Sequence, residues 1–313
     1  MIPMHLLRQP GATARGTSSA TAFATAATTL AALATLFAGT CAAAGISNPS
    51  GTPNAPGSPG TPIAAPAVPE NATAQNAGMP ASRLDAILAR GTLRACTTGD
   101  YRPYSYYRPD GHFEGIDIDL AHSLAASLGV KTEFVKTSWS TLTRDFIAQC
   151  DIAVGGVSTT LGRQRRAFFT QPYLRDGKAP IVRCADVERY QSIAQIDRPD
   201  TRVIVNPGGT NERFARQFFP HATLTVYPDN VTIFRQILDG RADVMVTDAS
   251  ETRLQHKLNP GLCPVHPDQP FQFGEKAFMV PRGDVVFQQY VDQWLHLARE
   301  TGELQTITDR WLK

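Results

Sequence analysis

From residue 81 onward, apolar and polar positions along the chain switch repeatedly between a period near 3.6 and short apolar runs. Residues 82–91 read as a short helix, with Ser82 as cap, Asp85 three residues on and Gly91 as stop. Residues 92–98 read as a strand, and 115–128 as a helix with acidic residues in its first turn. A strand at 130–136, a helix at 140–149 and a small-residue strand at 151–157 follow. The pattern then restarts with strands at 202–206, 222–227 and 242–247, interleaved with helices at 211–219, 230–239 and 250–258. A strand at 277–280 precedes two closing helices, 285–299 and 303–312.

Strands alternating with helices of about ten residues imply βαβ units and parallel sheets. Two such blocks in succession, each small, predict an α/β bilobal fold of two parallel-sheet lobes joined by a two-strand hinge. Lobe 1 is expected to span 81–182 plus 276–313, and lobe 2 to span 183–275, with crossings near 179–183 and 274–276. Ligands in such sheets lie beyond the carboxyl ends of strands, so the cleft between lobes is the expected site. The loops to inspect are 98–107, 137–140, 155–166, 206–211 and 247–251.

Composition changes the picture upstream. Arg8 and Arg15 precede a run, 16–69, without any Asp, Glu, Lys or Arg, and 20–44 is rich in Ala, Thr, Leu and Phe. A basic start, an apolar stretch and a small-residue exit describe a signal peptide over 1–44, which implies export to the periplasm. Thr40 precedes Cys41 where a lipid-attachment motif has Gly or Ala, which argues against a lipid anchor. Residues 45–80, dominated by Pro, Gly, Asn, Ala and Ser, read as a disordered tether. The chain's net charge is only +2, so no basic field argues for nucleic acid. Cys96, Cys150, Cys184 and Cys263 match no zinc spacing, and export makes disulfides possible. Cys96 and Cys150, at or beside predicted strands, read as small buried residues.

The loops carry a resemblance. Gly155-Gly-Val-Ser-Thr-Thr-Leu-Gly-Arg163, with Phe168-Phe-Thr-Gln-Pro-Tyr173 after it, resembles the ligand-carboxylate segment of bacterial family 3 extracellular solute-binding proteins. So do Gly99-Asp-Tyr-Arg-Pro-Tyr104, Gly115-Ile-Asp-Ile-Asp-Leu-Ala121 and Asp239-Gly-Arg-Ala-Asp-Val-Met-Val-Thr-Asp248. That resemblance implies the type II periplasmic-binding-protein architecture. A narrower likeness, to periplasmic cyclohexadienyl dehydratases, rests on Thr97-Thr-Gly-Asp-Tyr101, Thr137-Ser-Trp139, Pro172-Tyr-Leu-Arg-Asp-Gly-Lys178, Ile204-Val-Asn-Pro-Gly-Gly-Thr-Asn-Glu212, Pro228-Asp-Asn-Val-Thr-Ile-Phe234 and Tyr290-Val-Asp-Gln-Trp-Leu-His296. It implies dehydration of prephenate or arogenate without metal, nucleotide or other cofactor, and without a transporter partner; the homo-oligomeric state stays open. It also implies a Cys184–Cys263 disulfide and Glu251 as proton donor, with Asn206 and Trp139 as matching site residues. Cys96, Cys150, a one-residue contraction before Asp151 and the long tether depart from the relatives' pattern.

The residue types fit that chemistry to different degrees. Spacing alone reads Glu251 as an ordinary first-turn glutamate favoured by the helix dipole; the resemblance makes it the acid, with Asp248 one turn away helping to keep it protonated. Arg163 offers a bidentate fork for a carboxylate, whereas Arg165 and Arg166 read as surface residues. Ser158 is assigned to the same carboxylate, and Thr160 either joins it or caps the next turn. Gly208-Gly209-Thr210 before a helix would offer N–H groups to an anion. Lys178 either neutralises a second substrate carboxylate or is a solvated hinge lysine. Trp139 is read as a wall for the ring, and Asp100 and Tyr104 as lining the mouth. The rival reading is a non-catalytic amino-acid receptor that uses Asp248 to hold an ammonium; Glu251 and Asn206 distinguish the two.

Overall fold

The computed structural model describes residues 81–313; the leader assigned to 1–44 and the tether assigned to 45–80 lie outside the described residues. The first helix, Arg83–Arg90, is bounded as its sequence requires: the Ser82 side chain accepts from the Leu84 N–H, and Gly91 takes the left-handed conformation. Five strands make the first sheet in the spatial order Lys131–Lys136, Thr92–Thr97, Ile152–Ala153, Met279–Pro281 and Ala167–Phe169. The first three run parallel, and Met279–Pro281 enters antiparallel between its neighbours. The second sheet runs Thr223–Val226, Arg202–Val205, Val244–Asp248, Leu174–Arg183 and Leu262–Pro264, with Gln272–Lys276 also paired to Leu174–Arg183. Its first three strands are parallel and the others antiparallel to their neighbours. Both sheets are therefore mixed rather than purely parallel, because the strands entering and leaving the second lobe join the sheets they connect.

The first crossing also falls earlier than 179–183. Strand Leu174–Arg183 is bonded into the second sheet from its first residue, which pairs with Lys276. The two linking strands thus lie side by side as one antiparallel ribbon, and the lobes meet at its Leu174–Lys276 end. Residues 174–182 are paired into the second sheet, with Leu174 still packed against the larger core of lobe 1. The sequence hid this because the strand lacks a helix before it to set the βα rhythm.

Strand faces sort the cores. Val203, Val205, Val244 and Val246 pack with Phe214 on one side of the second sheet, while Ile204 and Met245 pack with Ile233, Phe234 and Ile237 on the other. The first sheet does the same, Leu93 and Ala95 facing the larger core and Cys96 facing Leu142 and Phe146. That orientation corrects the reading of Cys96 and Cys150. Both are buried as expected, but they form a disulfide, since Cys150 ends the helix lying on the Cys96 face and brings the Cα atoms to 5.8 Å. Cys184 and Cys263 form a second disulfide in lobe 2. A small sheet of Asp100–Tyr101, Ser105–Tyr107 and Phe113–Glu114 projects from lobe 1 toward the cleft. Among the described residues no helix is long and apolar enough to cross a membrane.

Candidate active site

The parallel strand Val244–Asp248 delivers its carboxyl end to the cleft, and helix Ala249–Leu258 begins there with Asp248 as N-cap. Glu251, in the first turn, is only 1% exposed. Burial pushes its carboxyl up to about 8; the hydrogen bond from Thr247 opposes this, the Asp248 anion adds to it, and Lys276 and Lys178 pull it down. The Thr247 hydroxyl donates to Glu251 Oε2 at 2.5 Å. At neutral pH this carboxyl is an acid with a proton to give.

Asp248 behaves in the opposite way. Burial alone would raise it, but the ammonium groups of Lys178 and Lys276 outweigh burial and hold its carboxyl far below the usual range. Lys178 Nζ donates to Asp248 Oδ1 at 2.8 Å, Lys276 Nζ to Oδ2 at 2.5 Å, and the Tyr101 hydroxyl also reaches Oδ2. Two neighbouring carboxyls in one turn are thus driven apart, one ionised and one protonated, which is the arrangement that assigns acid and counter-charge in enzyme sites.

Between the lobes lies a cavity of about 20 Å³, room for a water molecule but not for a substituted ring. Trp139, Ser158, Asn206, Thr210 and Asp248 line it, together with Tyr101, Asn211 and Asn230, which the sequence reading did not single out. Glu251 stands one layer behind this wall, behind Thr247 and Asn211. Trp139 also lines an outer cleft shared with Thr160, Arg163 and Arg213. The Arg163 guanidinium is nearly enclosed; burial first, and Arg213 facing it second, lower it to about 10. Among the described residues its one hydrogen bond is Nη1 to the Ser158 carbonyl at 2.8 Å, and it lies over the Trp139 ring at 5.9 Å. Most of its fork remains for an anion. Arg213 brings a second guanidinium to this cleft from lobe 2.

Several expectations change on contact with the geometry. Lys178 is neither solvated nor available: it is 4% exposed, and its donors go to Thr210, Asn211 and Asp248. Lys276, at the last residue of its linking strand, is equally buried and meets the cavity wall from another side, donating to Ser158 Oγ at 3.1 Å. Asp100 accepts from Trp139 Nε1 at 3.0 Å and orients that ring instead of lining the cavity. Tyr104 is buried behind Gly156, and its hydroxyl donates to Asp176 at 3.0 Å. Thr160 caps the helix Leu161–Gln164. The Gly208 N–H is taken by Glu212 at 2.6 Å, so only Gly209 and Thr210 of that turn face the cavity. The Gly155 and Gly156 N–H groups go to buried Asp117, whose carboxyl burial raises to about 6 against the bonds from Tyr173 and both glycines. Gly156 is required there: its φ is +71°, and a Cβ would meet the Tyr104 ring at 2.6 Å.

Tyr101 and Asn230 sit in runs already compared with relatives, so position beside named residues was their only signal. Asn230 Nδ2 bonds the Asp100 carbonyl at 3.0 Å across the cleft, and its buried Oδ1 has no partner among the described residues. Lys276 gave no sequence signal at all. Among the described residues, Cys184, His256 and Cys263 group their ligand atoms within 4.8 Å, but the two sulfurs are joined to each other.

This fold and cleft define a two-lobed α/β solute-binding scaffold of type II, with its ligand site between the lobes. The chain belongs to the bacterial extracellular solute-binding proteins, family 3, whose family model matches residues 93–313. It is 55% identical over 233 residues to the cyclohexadienyl dehydratase of Pseudomonas aeruginosa, covering 74% of this chain and 87% of the relative. It is 24% identical over 230 residues to the L-cystine-binding protein TcyJ of Escherichia coli K12, covering 73% and 85%. Among solved structures, the ancestral amino acid-binding protein AncCDT-1, a precursor of cyclohexadienyl dehydratase, aligns with a TM-score of 0.69 at 33% identity, covering 74% of this chain and 100% of that one. The substrate-binding protein AbpA from Streptococcus pneumoniae, bound to L-arginine, shares the fold with a TM-score of 0.67 at 24% identity, covering 73% and 97%.

Proposed function

We propose that this chain is a lyase that converts prephenate to phenylpyruvate, and arogenate to phenylalanine, as a cyclohexadienyl dehydratase. Glu251 gives its proton to the ring hydroxyl, which leaves as water. The electron pair of the bond to the ring carboxylate moves into the ring as carbon dioxide departs, and the ring becomes aromatic. One positioned acid suffices because aromatisation drives the step. Arg163 holds a substrate carboxylate, Trp139 walls the ring, and Asn206, Ser158 and Thr210 supply polar contacts. Arg163 and Arg213 together line the outer cleft with positive charge suited to an anion. The same reading takes residues 1–44 as an export signal and the periplasm as the site of action, with no transporter partner.

The observation that carries this is the buried Glu251 carboxyl, protonated at neutral pH beside an ionised Asp248. A receptor would need Asp248 for the ligand's ammonium, yet both oxygens are already engaged by lysines. Purified protein mixed with prephenate should yield phenylpyruvate. Glu251→Gln should lower kcat by about 10²–10⁴-fold while ligand binding by calorimetry stays near wild type. A variant rate within a few-fold of wild type removes Glu251 from its role.

A further inference from the structure

A chain of hydrogen bonds runs from Lys178 to Glu251, and its direction is fixed from one end. An ammonium only donates, so Asn211, met by Lys178 through Oδ1, must turn its amide nitrogen the other way. That nitrogen donates to Asn206 Oδ1 at 3.1 Å and to Thr247 Oγ1 at 3.0 Å. The Thr247 hydroxyl is fully buried and has one hydrogen; with Asn211 as its donor, the remaining neighbour for that hydrogen is Glu251 Oε2 at 2.5 Å. If Glu251 were instead protonated on Oε2 and donated to Thr247, the hydroxyl hydrogen would be stranded in the interior without an acceptor.

We propose that Asn211 is a positioning residue: it sets the direction of this chain, keeps the proton of Glu251 on Oε1, and turns the Asn206 amide nitrogen to the ligand. This rests on Glu251 being the acid. The arrangement explains why Lys178 is committed inside the wall, and why Asn211 lies between two site residues without itself being an acid or base. The groups facing Glu251 are Asp248 and Thr247 from its own strand end, Lys178 and Lys276 from the linking strands, and Tyr101 from lobe 1. Of these, the Thr247 bond stabilises the ionised carboxylate, so losing that donor raises the carboxyl further.

The test is the pH profile of kcat/KM for prephenate in wild type, Asn211→Asp, Thr247→Val, Thr247→Ser and the Asn211→Asp/Thr247→Val double variant. An aspartate keeps the acceptor for Lys178 but has no N–H, so the Thr247 hydrogen is released from Glu251. The alkaline limb should move to higher pH in Asn211→Asp and in Thr247→Val, with kcat falling about 10- to 100-fold. Thr247→Ser should match wild type, and the double variant should shift no further than Thr247→Val alone. A shift in the double variant equal to the sum would mean the new carboxylate acts through space, and would overturn the proposal, as would a wild-type profile in Asn211→Asp. If Asn211→Asp does not fold, an unshifted profile in Thr247→Val overturns it instead. Glu251→Gln in the same series separates the two levels: full activity there defeats the acid role itself, whereas inactivity there with unshifted or additive profiles defeats only the relay.

Discussion

At the residue scale the site works by setting two carboxyls against each other, and Asp248 is the one that controls the pair. Its anion raises Glu251, so removing the charge should lower the acid. A general acid must be protonated, and activity is lost as pH rises through its pKa, near 8 in the native protein. Asp248→Asn should therefore move the alkaline limb of kcat/KM downward, opposite to the change expected for Thr247→Val. It also leaves two buried ammonium groups without their counter-charge, a cost of about 3–5 kcal/mol to be read in a denaturant midpoint. An unmoved limb would show that Asp248 does not act on Glu251. Asp248, Arg163 and Asn206 draw attention by type and by their place after strands, whereas Glu251 reads by spacing as an ordinary first-turn glutamate and is singled out only through the resemblance. Lys276 and Asn211 were not legible, because a lysine at a strand end and an asparagine in a helix's first turn are ordinary until three-dimensional neighbours give them partners.

Among the elements, the helices and parallel strands were readable because each announces itself locally, by capping, stop glycines and period. The Arg83–Arg90 helix between Ser82 and Gly91 is the clearest case. What escaped were elements defined by their partners: the long Leu174–Arg183 strand, the short Leu262–Pro264 and Gln272–Lys276 strands, and the small sheet bearing Tyr101. The Cys96–Cys150 bond belongs to this group, since nothing in a separation of 54 residues shows that a helix will end over a strand face. Closing a loop of that length should contribute about 2–4 kcal/mol. Cys96→Ala/Cys150→Ala, made together so that no lone thiol remains, should lower the melting temperature while leaving kcat near wild type, because neither cysteine lines the cavity or the outer cleft. An unchanged melting temperature would mean that the packing of Leu142 and Phe146 already holds that helix.

For the whole molecule the decisive fact is closure. Four side-chain contacts tie the lobes within the cleft, Tyr101 to Asp248, Tyr104 to Asp176 and to Ser250, and Asn230 to the Asp100 carbonyl, and Lys257 reaches the Leu312 carbonyl at the rim. A cavity of about 20 Å³ cannot take up a ring with two carboxylates, so substrate enters only when these ties release. The linking ribbon ends beside them at Lys276, which places the hinge next to the chemistry and lets opening separate Tyr101 from Asp248 without disturbing either core. Binding must then offset the closed state's own contacts, and weakening those contacts should shift the unliganded population toward open forms. Tyr104→Phe removes two of these ties, those to Asp176 and Ser250, while keeping the ring that packs on Gly156. Its radius of gyration in solution scattering should exceed that of wild type without ligand and converge with it when a non-reactive dicarboxylate is bound. If opening limits turnover, kcat rises in the variant while KM rises with it; if chemistry limits, kcat holds and KM alone changes. Identical scattering for the two proteins without ligand would mean that the Tyr104 contacts do not govern closure, and that the remaining ties, Tyr101 to Asp248 and Asn230 to the Asp100 carbonyl among them, suffice to hold the lobes.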